Sequence, residues 1–478
     1  MNYLIIAYIM GWVLNFEGAF MLLPALTALI YGEKEGFAFL ACSVLSFVAG
    51  GLITLKKPTN KRFYAREGFV ICSLTWIVIS LVGAFPFVIT GILPNYIDAL
   101  FEIVSGFTTT GSSVITDLTG IPHCILLWRS FSHWIGGMGV LVFILAILPL
   151  FGGVDMHLMR AESPGPSVGK LVPNVKKTAS YLYKIYLGMT LIQLMLLLIT
   201  GMNPFDAVCI TFGTAGTGGF GIHNDSCGGY TILQQAIITV FMLLFGINFN
   251  VYFLMLKKKF KEIIKIEEVK WYFIIVFTAV AAIVLNSGNM NEIFLSIHHT
   301  LFSVASVITT TGYATVDFNL WPMFSKFVLV MIMFIGACAG STGGGMKVSR
   351  ILIYAKTVKK EIVGMIHQKS IKILKMDGKT VEHSIIRNVN VYLVSYLIIM
   401  AVSLLIVTLD NFDFETCFTS VVATFNNIGP GLSKVGPTGN FFEFSNLSKL
   451  VFIFDMLAGR LEIFPMLLLF SRATWSKK

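Results

Sequence analysis

Long apolar stretches separated by short polar ones fill the whole chain. A helix needs about 20 apolar residues to cross a hydrocarbon core about 30 Å thick. By this measure two spans open the chain, near 3–30 and 37–55, and the first lacks the basic start of a cleaved signal. Eight more are predicted near 68–91, 124–150, 180–201, 231–256, 271–286, 323–345, 390–409 and 447–470. The pattern predicts an all-α polytopic membrane protein.

After the two leading spans, within 1–66, one pattern occurs four times. A span is followed by a polar stretch that contains acids and glycine, then by a second span and a basic loop. Inside the polar stretches lie apolar segments too short to cross a membrane, namely Phe101–Gly106, Val208–Phe212, Leu301–Ile308 and Phe418–Phe425. Such segments are typical of re-entrant helices buried in protein. We therefore predict four parallel repeats, at 67–160, 176–258, 266–370 and 384–478.

The repeats align without gaps on four glycines, Gly111, Gly219, Gly312 and Gly429. The first repeat reads DALFEIVSGFTTTG and the third HTLFSVASVITTTG, so that Leu, Phe, Ser and the whole TTTG recur in register. The second reads DAVCITFGTAGTGG, and the fourth, TCFTSVVATFNNIG, places Phe425 opposite Phe107. Matches in four equivalent places predict a pseudo-fourfold arrangement of the repeats around one axis.

The glycine loops have the chemistry of a cation filter. A bare cation in hydrocarbon costs tens of kcal/mol, and rings of backbone carbonyls can replace its hydration shell. Glycine adopts positive φ cheaply and permits close backbone approach. A single TTTG would fit an ordinary turn or small-residue helix packing, but four in register favour a filter. We expect the ion ligands to be the carbonyls of Thr109, Thr110, Gly111, Thr217, Gly218, Gly219, Thr310, Thr311, Gly312, Asn427, Ile428 and Gly429.

Charge supports a membrane protein and gives its orientation. Hydrophobic residues make up 56% of the chain and charged residues 13%, against roughly 45–50% and about 25% in soluble domains. The net charge of +10 comes from Lys and Arg that crowd alternate polar loops and the C-terminal tail. This asymmetry is typical of cytoplasmic loops rather than of nucleic-acid binding. We expect the basic loops and both termini to face the cytoplasm.

A glycine-rich stretch, FIGACAGSTGGGMKVSR, falls inside the predicted second span of the third repeat. Its five glycines, each costing about 1 kcal/mol in a helix, are Gly336, Gly340, Gly343, Gly344 and Gly345. A phosphate-binding loop is excluded by the spacing, because Met346 stands where Lys is required. A flexible helix and a movable constriction below the filter remain, and we favour the constriction.

Arg460 lies within the last apolar stretch, with Asp455 and Glu462 close by in sequence. Charges in a membrane core face a partner or a cavity. One interpretation is a structural ion pair with either acid. The other, which we favour, places Arg460 at the pore below the filter, where it holds the glycine-rich loop through carbonyl hydrogen bonds and repels cations. Arg129 is predicted to snorkel or to pack against a neighbouring repeat.

Eight motifs, in order along essentially the whole chain, resemble the TrkH/TrkG/KtrB family of potassium transporters. They are FEGAFMLLP, FTTTGSS, WRSFSHWIGGMG, FGTAGTGGFG, ITTTGY, GSTGGGMK, TFNNIGPGLS and AGRLE. The two leading spans favour the TrkH subunit of bacterial Trk potassium uptake systems over the shorter KtrB type. The resemblance implies a potassium-channel-like fold in the bacterial inner membrane.

It also implies K+ as the transported ion without a bound cofactor, a homodimer, and a cytoplasmic nucleotide-binding regulator of the TrkA type. In such proteins the filter, the glycine-rich loop and the arginine line the pathway. Related sodium-permeable plant transporters carry serine at the position of Gly111, so this glycine favours potassium. The second loop, from Gly216 to Gly219, is richer in glycine than the others, which leaves its register open by one residue.

Two other classes of function share features with this sequence. A secondary transporter that couples K+ to H+ or Na+ also fits broken helices, but its usual inverted repeats are missing. A membrane enzyme would need a nucleophile and base or a metal-binding motif, and the sequence shows none. We therefore expect a transport protein and not an enzyme.

Overall fold

The computed structural model describes residues 1–58, 65–139, 175–287, 292–367 and 373–476. Two leading helices, α1 (Tyr3–Tyr31) and α2 (Gly36–Thr54), form a tight antiparallel hairpin. The Ser43 hydroxyl donates a hydrogen bond to the Gly18 carbonyl across their interface at 2.7 Å. Close packing of small residues is how apolar helices associate in lipid.

The remaining helices form the four repeats in chain order. The first has α3 (Ala65–Gly83), α4 (Phe85–Ile89), α5 (Tyr96–Phe107) and α6 (His123–Gly137). The second has α7 (Val175–Ile199), α8 (Pro204–Gly216), α9 (Ile232–Phe245) and α10 (Asn250–Leu256), and the short α11 (Phe260–Ile263) connects it to the third. The third has α12 (Glu267–Ser287), α13 (Ile293–Ile308), α14 (Met323–Ile335) and α15 (Val348–Ile366). The fourth has α16 (His383–Val407), α17 (Phe414–Phe425), α18 (Asn446–Arg460), α19 (Phe464–Phe470) and α20 (Arg472–Trp475).

One small element departs from the predicted all-α fold. Strands β1 (Lys375–Met376) and β2 (Lys379–Thr380) pair antiparallel between α15 and α16. Asp377 and Gly378 join them, both with positive φ, as a two-residue hairpin turn requires. Short 3₁₀ turns lie at Phe318–Leu320, Thr408–Asp410 and Ser433–Val435.

The short helices that precede the glycine loops are buried at the ends that meet the loops. In α5, for example, Phe101, Ile103 and Val104 are 0% exposed. The long helix α16, in contrast, exposes apolar side chains such as Val394 and Leu405. Short apolar helices sealed inside longer ones are what re-entrant segments require, because lipid cannot satisfy their irregular ends. We call α5, α8, α13 and α17 the pore helices.

The helices that follow the glycine loops are broken in more repeats than the sequence suggested. Six described helices are long and apolar enough to cross a membrane, or seven if α9 and α10, bent by 95°, count as one. The predicted spans 231–256, 323–345 and 447–470 stop at Phe245, Ile335 and Arg460. The sequence predicted a break only in the third repeat, which is wrong for the second and fourth. In the first, α6 ends at Gly137, and 140–150 of its predicted span lie outside the described residues.

Close backbone contact explains two glycines near these breaks. A Cβ on Gly136 would lie 1.8 Å from the Phe107 carbonyl oxygen, and one on Gly459 would lie 2.1 Å from that of Phe425. Phe107 and Phe425 are the last residues of their pore helices. In the first and fourth repeats, the inner end of the second helix therefore lies directly against the carboxyl end of the pore helix.

Candidate functional site: the glycine loops and the segment beneath them

The four glycine loops share one backbone conformation. Two residues before each aligned glycine, φ is left-handed: 56° at Thr109, 57° at Thr217, 57° at Thr310 and 56° at Asn427. The glycines themselves have φ of 83°, 69°, 86° and 101° in chain order. The residue between them has negative φ in all four loops. The same alternation in the sign of φ gives the four loops the same backbone path, as a ring of carbonyl ligands contributed by four repeats requires.

An equivalent backbone hydrogen bond connects each loop to the end of its pore helix. In each loop the amide of the middle residue donates to the carbonyl five residues back. The pairs are Thr110 to Ser105 at 2.8 Å, Gly218 to Gly213 at 2.9 Å, Thr311 to Ser306 at 2.8 Å and Ile428 to Ala423 at 2.9 Å. The second loop thus keeps the register of the others, and the shift that its extra glycine left open does not occur.

Contacts between the loops form a closed ring. Each aligned glycine faces the carbonyl oxygen of the middle residue in the next repeat, at a distance that excludes any side chain. An added Cβ would lie 2.0 Å from Gly218 O at Gly111, 1.8 Å from Thr311 O at Gly219, 2.2 Å from Ile428 O at Gly312 and 2.7 Å from Thr110 O at Gly429. The contacts run from repeat one to two, three and four, and return to one. All twelve predicted filter residues lie in this ring, buried except for the half-buried Gly111, Gly219 and Gly312.

Side-chain hydrogen bonds brace the ring where the fourth and first repeats meet. The Asn427 amide donates to the Thr110 hydroxyl at 2.9 Å, and the Ser112 hydroxyl donates to the Gly429 carbonyl at 3.0 Å. The same amide donates to the Met456 carbonyl at 2.9 Å, which ties the loop to α18. The fourth loop has lost the threonines of the TTTG pattern, and its asparagine connects the ring to its surroundings instead.

A buried arginine and a histidine link the first and second repeats. Arg129 Nε lies 2.7 Å from Glu102 Oε1, and Arg129 Nη1 donates to the Gly221 carbonyl at 3.1 Å. His133 Nδ1 lies 2.8 Å from the Gly106 carbonyl, while its Nε2 accepts from the Phe220 amide at 3.2 Å. Both ring nitrogens are used, so the bonds assign a neutral imidazole with its proton on Nδ1. Arg129 packs against a neighbouring repeat, as one of its two predicted roles required, and does not snorkel.

The glycine-rich segment between α14 and α15 is non-helical and lies beneath the third and fourth loops. We call it the inner loop, residues 336–347. Gly336, Gly340 and Gly345 have φ of 73°, 72° and 76°. A Cβ on Gly343 would lie 2.8 Å from the Thr309 carbonyl oxygen, and one on Gly344 would lie 2.5 Å from that of Asn426.

Two hydrogen bonds join the inner loop to the ring above it. The Gly344 amide donates to the Thr310 hydroxyl at 2.6 Å, and the Gly345 amide donates to the Asn426 carbonyl at 3.1 Å. The inner loop also bonds to the break in the second repeat, where the Gly246 carbonyl accepts from the Cys338 amide at 3.0 Å. These bonds satisfy backbone groups that a broken helix leaves unpaired.

Arg460 reaches across the space beneath the ring. Its Nη1 donates to the Thr342 carbonyl of the inner loop at 2.7 Å. Its Nη2 donates to the Gly136 and Gly137 carbonyls, at the inner end of α6, at 2.5 and 2.9 Å. The two acids near it in sequence have other contacts: Glu462 pairs with Arg350, and Asp455 accepts from the Ser403 hydroxyl at 2.7 Å.

Sequence reasoning missed charged residues that hold the inner loop, among them Glu268 and Lys347. Glu268 Oε1 accepts from the amides of Ala339 at 2.7 Å and Ser349 at 3.0 Å, so one carboxylate connects the inner loop to the start of α15. Lys347, 3% exposed, donates to the Gly343 carbonyl. Glu268 follows a basic loop at the start of α12, where an acid is typical of a helix start. Lys347 directly follows Met346 in the glycine-rich stretch, and no pattern in the sequence indicates its contact.

Comparison with known proteins identifies the family to which the chain belongs. Residues 35–477 match the family model TrkH, described as a cation transport protein. The chain belongs to the TrkH family. Membership of a cation transport family confirms that the chain is a transport protein and not an enzyme. The chain is a multi-pass membrane protein, as its composition predicted.

Individual relatives match over nearly their full length. The Trk system potassium uptake protein TrkH of Escherichia coli K12 is 36% identical, over 99% of this chain and 100% of the relative. The TrkG protein of the same strain is 33% identical, over 98% of both. The crystal structure of the potassium transporter TrkH from Vibrio parahaemolyticus superposes with a TM-score of 0.89 over 100% of both chains, at 32% identity. This likeness confirms the predicted fold class.

Proposed function

We propose that this protein conducts potassium ions into the cell through a pore on the axis of the four repeats. The observation that carries the proposal is the closed ring, in which each aligned glycine faces a carbonyl of the next repeat. Relatives over the whole length are named potassium uptake proteins. In this proposal K+ is the transported ion and the protein needs no bound cofactor.

Selection follows from the backbone of the ring. Thr109 to Gly111 and their counterparts in the other repeats offer carbonyl oxygens from four sides, which replace the water shell of an ion without any acidic ligand. Each pore helix ends at its loop, so its partially negative carboxyl end favours a cation at that point. Because contacts between neighbouring loops leave no room for a Cβ, the ring holds its carbonyls at fixed separations.

Gating is assigned to the inner loop and Arg460. The loop lies under two of the four filter loops, and the guanidinium of Arg460 ties it to the far side of the pore, at α6. In this state the loop narrows the path and the positive charge repels a cation. Conduction requires the bonds of Arg460 to Thr342, and of Gly344 to Thr310, to be exchanged for others.

We further propose that the protein works in the bacterial inner membrane as a homodimer with a TrkA-type nucleotide-binding regulator. The basic loops and both termini then face the cytoplasm, as charge asymmetry requires. Helix α15 continues directly from the inner loop and ends at Ile366. A regulator that moved α15 would therefore act on the inner loop.

A secondary transporter that couples K+ to H+ or Na+ is the second candidate. Broken helices near the membrane centre are a feature of such proteins. One side chain also favours it: Glu17 in α1 is 2% exposed, and its carboxyl oxygens have no hydrogen-bond partner among the described residues. A buried acid in a membrane is a candidate proton site.

Reconstitution in liposomes separates the two candidates. With K+ on both sides and no gradient of H+ or Na+, the pore predicts a K+ flux that follows an imposed voltage and exceeds the Na+ flux. A flux that requires an H+ or Na+ gradient supports the coupled transporter. Absence of any flux through correctly folded protein, in the Arg460→Ala variant as well, contradicts both.

A further inference from the structure

We infer that three polar contacts at the outer side of the pore are positioning contacts that hold neighbouring repeats together and sharpen ion selection. We call them the outer latches: Lys449 with Asp98, Gln235 with His298, and Lys326 with Glu415. The inference rests on the proposed function, since it concerns the same carbonyl filter.

The latches occupy equivalent positions, although their residue types differ. One partner is always the fourth residue of the helix that follows a glycine loop: Gln235 in α9, Lys326 in α14 and Lys449 in α18. The other partner lies in a pore helix, thirteen or fourteen residues before the aligned glycine: Asp98, His298 or Glu415. A contact that recurs at equivalent sites with different chemistry is a feature of the architecture rather than an accident of one pair.

Each latch joins the helix after one loop to the pore helix of the next repeat. Gln235 Oε1 lies 2.8 Å from His298 Nε2, between repeats two and three. Lys326 Nζ lies 3.2 Å from Glu415 Oε1, between three and four, and Lys449 Nζ lies 2.6 Å from Asp98 Oδ1, between four and one. The filter ring joins the same neighbours, so latch and ring hold a pore helix at opposite ends.

Of the two charged latches, Lys449–Asp98 is the more deeply buried. The side chains of Lys449 and Asp98 are 4% and 10% exposed, against 16% and 38% for Lys326 and Glu415. Ion pairs shielded from water are strongly coupled, and loss of one partner leaves a buried charge unpaired. This latch should therefore have the largest influence on its pore helix.

The remaining interface is built differently. The fourth residue of α6 is the apolar Leu126, and Asp206 in α8, the counterpart of Asp98, lies 3.0 Å from His223 of its own repeat. Repeats one and two are joined closer to the filter, where Arg129 donates to the Gly221 carbonyl. Leu126 thus provides a matched position without a latch.

Because the pore helices are short, movement of the outer end of a pore helix can shift the filter loop at its other end. In α5 the Thr110 amide is bonded to the Ser105 carbonyl, so the loop moves with the helix that carries Asp98. A change in helix tilt shifts the carbonyls of that repeat. Because Gly111 already lies against the Gly218 carbonyl, a shift opens the ring on one side.

The test compares K+ over Na+ permeability ratios in liposomes for Lys449→Met, for the charge exchange Lys449→Asp with Asp98→Lys, and for Leu126→Met as control. We expect Lys449→Met to lower the ratio by about tenfold, which corresponds to about 1.4 kcal/mol. The exchange should recover part of the loss as a coupled pair, and Leu126→Met should keep the original ratio. An unchanged ratio in Lys449→Met, or no recovery in the exchange variant, would overturn the inference.

Two further variants keep the outcome clear. If Lys449→Met does not reach the membrane folded, Lys326→Met at the more exposed latch takes its place, with a smaller decrease expected and an unchanged ratio as the contrary result. Gly111→Ser is measured beside them. If it lowers the ratio while the latch variants do not, only the latch inference fails. If it too leaves the ratio unchanged, the proposed filter itself is wrong.

Discussion

The glycine ring and the layer just beneath it are built on opposite plans. In the ring, four loops share φ angles, hydrogen bonds and contacts, although their sequences differ. In the layer below, each repeat contributes something else: the end of α6, the bend after α9, the inner loop, and Arg460. The four repeats are alike in the ring and differ from one another in the layer directly beneath it.

The difference follows from the two tasks. A ring of carbonyls replaces the water around an ion only if ligands approach from every side, so no repeat can depart from the shared backbone. A barrier needs only one element and one charge on the axis. Symmetry is therefore retained where selection is proposed and lost where gating is proposed.

The largest effect should come from breaking the ring. In Gly219→Ala the new methyl would lie 1.8 Å from the Thr311 carbonyl, in a backbone with φ of 69°. Overpacking typically costs 1–3 kcal/mol, so we expect K+ uptake by liposomes to fall by at least about tenfold. Gly188→Ala in α7, where an added Cβ meets nothing within 4 Å, is the control and should keep its uptake. Uptake by Gly219→Ala equal to that of the control would show that the ring tolerates an added methyl group and would contradict the prediction.

The second effect should come from the layer below. Arg460→Ala removes a cation and its bonds to Thr342, Gly136 and Gly137. Hydrogen bonds to charged groups contribute about 1.5–3 kcal/mol each, so the inner loop should open more often and K+ flux should rise several-fold. Arg460→Lys keeps the positive charge but loses the two-pronged hydrogen bonding of the guanidinium. Its K+ flux should lie between that of the unaltered protein and that of Arg460→Ala. Lower flux through folded Arg460→Ala would contradict the barrier.

A smaller effect is expected at Glu268, which touches the inner loop but not the ring. Glu268→Ala leaves the amides of Ala339 and Ser349 without their acceptor, and K+ leak in the absence of a regulator should rise about twofold to tenfold. Glu268→Gln retains a carbonyl acceptor and should leak less than the alanine variant. If both variants leak alike, the charge rather than the hydrogen bonds holds the loop.

The smallest effect lies outside both layers, at Glu33 in the turn between α1 and α2. Burial raises the pKa of its carboxyl, but amide bonds from Cys124 and His123 outweigh this and hold the pKa below the usual 4.5. A lowered folded-state pKa stabilises the protein above pH 4.5, and the gain is lost as pH falls through the folded-state pKa. Thermal unfolding of Glu33→Gln should show a deficit of about 1 kcal/mol or less at neutral pH. The deficit should shrink in acid, with selectivity unchanged throughout.

The fold and the ring were predictable because their signals are local. Apolar length gave the spans and the aligned glycines gave the repeats, since lipid thickness and close backbone approach constrain residue type directly. The order of the repeats around the ring could not be predicted from the sequence. It depends on which neighbouring loop each glycine faces, and Gly429, for example, faces the Thr110 carbonyl.

The missed breaks and partners show what local patterns leave out. The fourth repeat bends at Glu462 and Ile463, whose φ of 56° and 70° are rare for such residues, so no glycine cluster marks the site. Lys449 and Asp98 are 351 positions apart. Contacts between residues so far apart in sequence form only when the repeats assemble, and the spacing of residues along the chain does not predict them.

The most direct test of the division between ring and lower layer is the K+ over Na+ permeability ratio of Gly111→Ser and Arg460→Ala, measured in the same liposomes as the unaltered protein. The account predicts that Gly111→Ser lowers the ratio, because its side chain has no room beside the Gly218 carbonyl. Arg460→Ala should raise the flux of K+ while leaving the ratio as it was. A ratio that changes in Arg460→Ala and not in Gly111→Ser would contradict the account.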